Sequence, residues 1–286
     1  MTVLTMQARQ SGQDAGPRSL PWRRMVWVTW RQHRTTLLSV PAVLGAIAVF
    51  LVIAGLIIHH NYAHLMACYT ATGSTAAGGS PISVGSGSNG CGHLNSAFNQ
   101  TDWPIANGLN IALNLGPVLI GAFAGAPMLA RELETGTYRF AWTQGFGRER
   151  WAIAKLTLLG GTVAVTAAAF SLVWVWFFQP FLNQEDLGVM SNAVFDHRPI
   201  AYAAWTLVAF AIGALAGMLV RRIVPAMATT LGLYAALRIA VWLLLNTNAK
   251  PASGFWPLQL AEGGGLLVLS VALGAATVWL VRRRAA

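Results

Sequence analysis

The sequence predicts an all-α integral membrane protein: six transmembrane helices, an amino-terminal amphipathic interfacial helix and a cytoplasmic coupling helix. Three observations predict it. Of 286 residues, 55% are hydrophobic and only 10% charged. Six apolar runs reach the length of a membrane span, and the basic residues gather in alternate connections between them. Charge this sparse cannot cover a soluble globule of that size, so lipid must cover much of the surface.

A bilayer core needs roughly 20 consecutive apolar residues in a helix, because lipid offers the backbone no hydrogen-bonding partners. Residues 37–58, 107–130, 156–178, 199–220, 223–245 and 263–281 meet that requirement, and the fifth run alone contains a formal charge, Arg238. Arg9, Arg18, Arg23, Arg24, Arg31 and Arg34 precede the first run. Arg131, Arg139, Arg148, Arg150 and Lys155 follow the second, Arg221 and Arg222 the fourth, and Arg282, Arg283 and Arg284 the sixth. The opposite connections hold only Arg198 and Lys250. Short segments rich in Lys and Arg stay on the cytoplasmic side, so both termini are expected there, in a plasma membrane. The net charge of +10 is therefore read as a topology signal; no continuous basic face suits nucleic acid.

Between the spans, residues 1–20 are polar and expected to be a disordered cytoplasmic tail. Residues 22–34 mix Trp and Arg, as an interfacial helix requires. Residues 59–106 form the external loop, rich in Gly, Ser and Thr over 71–92. Cys68 and Cys91 fall in it, where oxidation is permitted, and a disulfide closing the loop is the leading reading. The rival is metal binding: His60, His64 and Cys68 recur every four residues on one helical face, with Cys91 and His93 as further ligands.

The connection 131–155 is too patterned for a plain linker. Glu132 and Glu134 close the second span, Gly136 permits a turn, and an amphipathic piece with Tyr138, Phe140 and Trp142 follows. That piece can dock in a partner's groove or rest on the membrane surface. Arg238 in an apolar span requires a partner or water; it suits a pathway wall, a latch between helices or a side chain snorkelling outward. Asn107, Asn110 and Asn114 make a polar stripe on the second span, best explained by interhelical hydrogen bonds and alternatively by a substrate path. Gly121-x-x-x-Gly125 and Gly213-x-x-x-Gly217 permit close helix contact, although Gly-rich spans contain the pattern often by chance.

The run Arg131-Glu132-Leu-Glu134-Thr135-Gly136-Thr137, with Arg148, the stretch Arg150 to Lys155, Arg221-Arg222-Ile-Val-Pro and Arg238, resembles permease subunits of type-2 ABC exporters, especially actinobacterial ones. The resemblance covers most of the chain after residue 22. It implies that the interfacial helix and the segment after span two contact a separate ATPase. Arg131, Glu132, Glu134, Thr135, Gly136, Thr137, Arg148 and Lys155 then become the ATPase-coupling candidates. It also implies two ATPase copies, a second permease copy and the lipid bilayer as partners.

The chemistry that is missing sharpens this. The sequence has no Gly-x-x-x-x-Gly-Lys-[Ser/Thr] loop, so ATP and Mg are expected on the partner ATPase, with no cofactor, metal or catalytic residue in this chain. Gly85 to Gly90 matches a dinucleotide fingerprint, but no strand precedes it. The six runs contain no His, Asp or Glu, which argues against an intramembrane hydrolase and against an ion-coupled secondary transporter. The function expected is an ATP-driven export permease working as a dimer on amphipathic drugs, lipids or peptides. Its alternatives are a regulatory or sensory membrane component and an ion-coupled carrier.

Overall fold

The computed structural model describes residues 22–72, 91–136, 147–182, 197–247 and 255–284. The tail before residue 21, the Gly85–Gly90 decoy and the piece carrying Tyr138, Phe140 and Trp142 lie outside them.

The described chain is all helical, with six helices long and apolar enough to cross a membrane. They are α1 (Trp22–Ala71), α2 (Gly92–Thr135), α3 (Arg148–Leu182), α4 (Pro199–Val220), α5 (Ile223–Thr247) and α6 (Phe255–Arg284). Residues 22–34 are helical as expected, but they continue into the first span without a break, giving one helix of 50 residues. At 1.5 Å per residue it is about 75 Å long, far more than a roughly 30 Å hydrocarbon core, so it projects beyond the bilayer. Nothing in Arg31-Gln-His-Arg-Thr-Thr36 breaks a helix. The far ends of α1 and α2 likewise extend into the expected external loop, where residues 59–71 and 92–106 are helical.

α2 is the irregular element. It contains π-helical turns at Phe98–Asp102 and Gly121–Gly125 and tightens at Leu115, whose N–H donates to Ala112 O at 3.1 Å. Pro117, which has no N–H to donate, restarts the helix just after that point.

α4 is the central post: 72% of its apolar window is buried in protein against 11% for α5. It packs on α2, α3, α5 and α6, whereas α1 lies mainly against α3. Small residues explain its place. A methyl on Gly121 of α2 would sit 2.5 Å from Ala209 O of α4, and one on Gly125 would sit 2.5 Å from Phe210 O. From the other side, Gly213 meets the backbone at Gly121 and Ala126, and Gly217 the backbone at Ala126 and Ala130. The two glycine pairs thus face each other, and the pattern that chance could have produced is a true contact. Lipid chains are as apolar as Leu, so this close backbone approach, rather than hydrophobicity, selects α4 as the centre.

Two further features fix the end of the bundle remote from the basic clusters. Cys68 of α1 and Cys91, just before α2, are joined as a disulfide with Cα atoms 5.9 Å apart, a separation normal for the bond. The Cys68 sulfur is therefore engaged, while His60 and His64 contact each other at 3.1 Å. Beside the disulfide, Phe98 and Trp103 of α2 pack tilted or edge-on against Phe178 and Phe181 of α3, in the same cluster as Trp174.

Gly213→Leu should destabilise the bundle by about 1–3 kcal/mol or more through overpacking, read as a lowered melting temperature in detergent micelles. Gly161→Ala, where a methyl meets nothing within 4 Å, should leave the melt unchanged. Equal melts for both variants would remove the contact from the account.

Candidate functional site

The basic end of the bundle is organised by the last turns of α2. Thr135 Oγ1 donates to Arg131 O at 2.8 Å, and Gly136 ends the helix in the left-handed region at φ +72°, where only glycine is unstrained. Glu132 and Glu134 are two residues apart, so at about 100° per residue their side chains leave the helix in very different directions. Each finds a different neighbour.

Glu132 points to α1 and α3. It accepts a hydrogen bond from Lys155 Nζ of α3, and His33 Nε2 of α1 lies 3.6 Å from the same carboxylate oxygen. Lys155 is fully buried, with its ammonium 4.4 Å above the Trp151 ring. A charge with no access to water is tolerable there only because a carboxylate and an aromatic face replace its hydration. Glu134 points to α5: its Oε2 accepts the N–H of Ile223 at 3.0 Å. That N–H opens α5, so the carboxylate caps an exposed helix end and meets its positive dipole. The cap also secures the sharp turn between α4 and α5, where Arg221 has the left-handed φ of 59° that non-glycine residues seldom adopt.

The end of α2 therefore fastens α1, α3 and α5 through two carboxylates. Of the coupling candidates, Arg131, Glu132, Glu134, Thr135, Gly136 and Lys155 come together here. Arg148 opens α3 on its exposed side, and Thr137 lies outside the described residues. His33 and the Ile223 N–H were missed by sequence reasoning, because they lie 99 and 89 residues from their partners. The signal available was the Glu-x-Glu spacing, which obliges the two side chains to serve different surfaces.

A second polar cluster lies nearer the disulfide end. Arg238 of α5 sits over the Trp205 ring of α4 at 4.4 Å, with its Nη2 3.5 Å from Asn114 Oδ1 of α2. Asn114 Nδ2 donates to Asn110 O at 2.9 Å, Asn110 is buried, and Asn107 is half-buried without joining Arg238. Trp205 Nε1 donates to Glu262 Oε1 of α6 at 3.0 Å. Because α6 begins at Phe255, Glu262 belongs to the same helix as the sixth apolar run and immediately precedes that run; the buried Asp102 of α2, which accepts from Asn61 Nδ2 at 3.1 Å, likewise precedes the second run. Both carboxylates hold neighbouring helices, which an apolar-run criterion cannot register.

Residues 41–246 match the ABC-2 membrane transporter related family. The chain belongs to that family. No curated protein and no solved structure matches it. As an ABC-2 permease it is a multi-pass membrane transporter component. The ABC-2 match includes Glu132, Glu134, Lys155 and Arg238, but begins after His33 and ends before Glu262. Those two contacts thus bind flanking helical segments to the family domain.

Glu132→Leu alone should cost about 3–5 kcal/mol by leaving Lys155 charged, buried and unpaired, whereas Glu132→Leu with Lys155→Met should recover most of it. Thermal melts in micelles distinguish the cases; an equal loss in the double variant would show that the pair is not what holds α2 to α3. Glu134→Ala should cost roughly 0.5–2 kcal/mol, the usual price of a lost cap.

Proposed function

We propose that this chain is the permease subunit of an ATP-driven exporter, in which two copies form the pathway and each grips one separate ATPase subunit. The observation that carries the reading is the convergence of α1, α3 and α5 on the end of α2, beside the turn at Gly136. A push delivered to that turn would reach four of the six helices through short, charged contacts. Such contacts transmit force better than apolar packing in lipid, where helices slide at little cost. Membership of the ABC-2 family and the resemblance to actinobacterial exporters support the same conclusion.

On this reading the basic end is cytoplasmic, and the ATPase docks around Gly136, Thr137 and Arg148, with ATP and Mg held by that partner. Two ATPase subunits serve a homodimer. The cargo is amphipathic, a drug, lipid or peptide, in keeping with walls that are mostly apolar.

The alternative reading is an ion-coupled carrier. Glu262 and the buried Asp102 are carboxylates on the spanning helices, just outside the apolar runs. Their engagement with Trp205 and Asn61 suits structural links equally well.

Co-expression with candidate ATPases should yield a complex that hydrolyses ATP, with reporters on both termini located inside the cell. Glu134→Arg should insert and bind normally yet lose most cargo-stimulated ATPase activity. A chain that purifies without an ATPase and moves solute down an ion gradient would overturn the proposal in favour of the carrier.

A further inference from the structure

Between α1 and α2 runs a cleft of about 740 Å³, walled by residues such as Val43 and Phe50 on one side and Leu119 and Phe123 on the other. Phe123 is 66% exposed and Val43 59%, so the cleft opens sideways along its length. Its α1 wall extends from Thr36 to Phe50, 14 residues on, or about 21 Å of helix. A groove of that length, open sideways and lined almost wholly by apolar side chains, matches an extended hydrocarbon chain in both shape and chemistry.

One polar group singles out the nature of that chain. Tyr202, four residues into α4, lines the cleft at the end remote from the basic clusters and is only 2% exposed. Its ring is fixed against Phe170 at 5.9 Å and His197 at 5.7 Å, but its hydroxyl has no hydrogen-bond partner among the described residues. A methyl on Gly116 would come within 2.5 Å of that oxygen, so the absence of a side chain there leaves the hydroxyl room. A buried donor left unused costs free energy, and the cost disappears when a ligand supplies an acceptor. The root of every ester-linked acyl chain carries one, the carbonyl oxygen.

We infer that the cleft holds one acyl chain of a bilayer phospholipid, with its ester carbonyl accepting the Tyr202 hydroxyl and its methyl end running toward Thr36. The lipid belongs to the leaflet opposite the basic end, so its chain passes the bilayer midplane, deeper than an unbound lipid of that leaflet reaches. The inference rests on the chain's place in a membrane and is independent of the ATPase reading.

The test uses the full chain in nanodiscs of phosphatidylglycerol whose acyl chain carries a terminal photoreactive diazirine. Crosslinks read by mass spectrometry should concentrate around Thr36 and Ala124. Tyr202→Phe, which keeps the ring, should lower them about threefold to tenfold at an unchanged melting temperature. Ala46→Phe, which fills the cleft, should nearly abolish them. Labelling as strong on the exposed face of α5 around Val224 and Ile239, or labelling unaffected by both substitutions, would overturn the inference. So would copy-to-copy disulfides through Ala46→Cys, which would make the occupant a second chain.

Discussion

The contact on which the rest of the structure depends is the backbone-to-backbone approach of α2 and α4. In water, burial of apolar surface would drive six such helices together; in lipid that drive is absent, and proximity has to come from shape and polarity. Gly121 and Gly125 on one helix and Gly213 and Gly217 on the other remove the side chains that would hold the two apart. With α4 so placed, α3, α5 and α6 have a post to pack around. The π-helical turn at Gly121–Gly125 belongs to this contact, since it lies in the stretch of α2 that meets α4.

Polar links then act at two levels. At the basic end, Glu132 and Glu134 tie α2 to α1, α3 and α5. Toward the other end, Trp205 carries Arg238 on its face and Glu262 at its ring nitrogen, linking α4 to α5 and α6. The two sets involve different helix groups with only α2 and α5 common to both, through Asn114 and Arg238 in the second. Movement at the basic end therefore has a route along α2 and α5 to the opposite side. The cleft beside α1 borders that route, with α2 as one wall and, as the other, the one helix that leans mainly on α3.

Much of this architecture was legible in the sequence. The six spans could be counted because an unpaired backbone is prohibitive in hydrocarbon, and the turn at Gly136 because glycine lets a helix end in the left-handed region without strain. The candidate site was legible in part: Glu132, Glu134 and Lys155 stood out as charges at the margins of apolar runs. Their partners did not. Nothing local tells Glu134 that it will meet the Ile223 N–H, since that depends on how α2 and α5 cross. Glu262 went unread for a related reason. A run of apolar residues marks the hydrocarbon core, but a helix continues past it until a breaker intervenes, so α1 and α6 are longer than their apolar segments.

By itself the sequence determined that this chain lies in a membrane, how often it crosses and which connections carry positive charge. Those properties are set by transfer of individual residues and backbone groups between water and lipid, and each is a sum over neighbours in the chain. Only the tertiary structure decided that α4 is the centre, that one end of α2 gathers three other helices and that Tyr202 faces a cleft with its hydroxyl unused among the described residues. These depend on which faces of equally apolar helices meet, and hydropathy is blind to that because lipid and protein interiors present the same apolar surface.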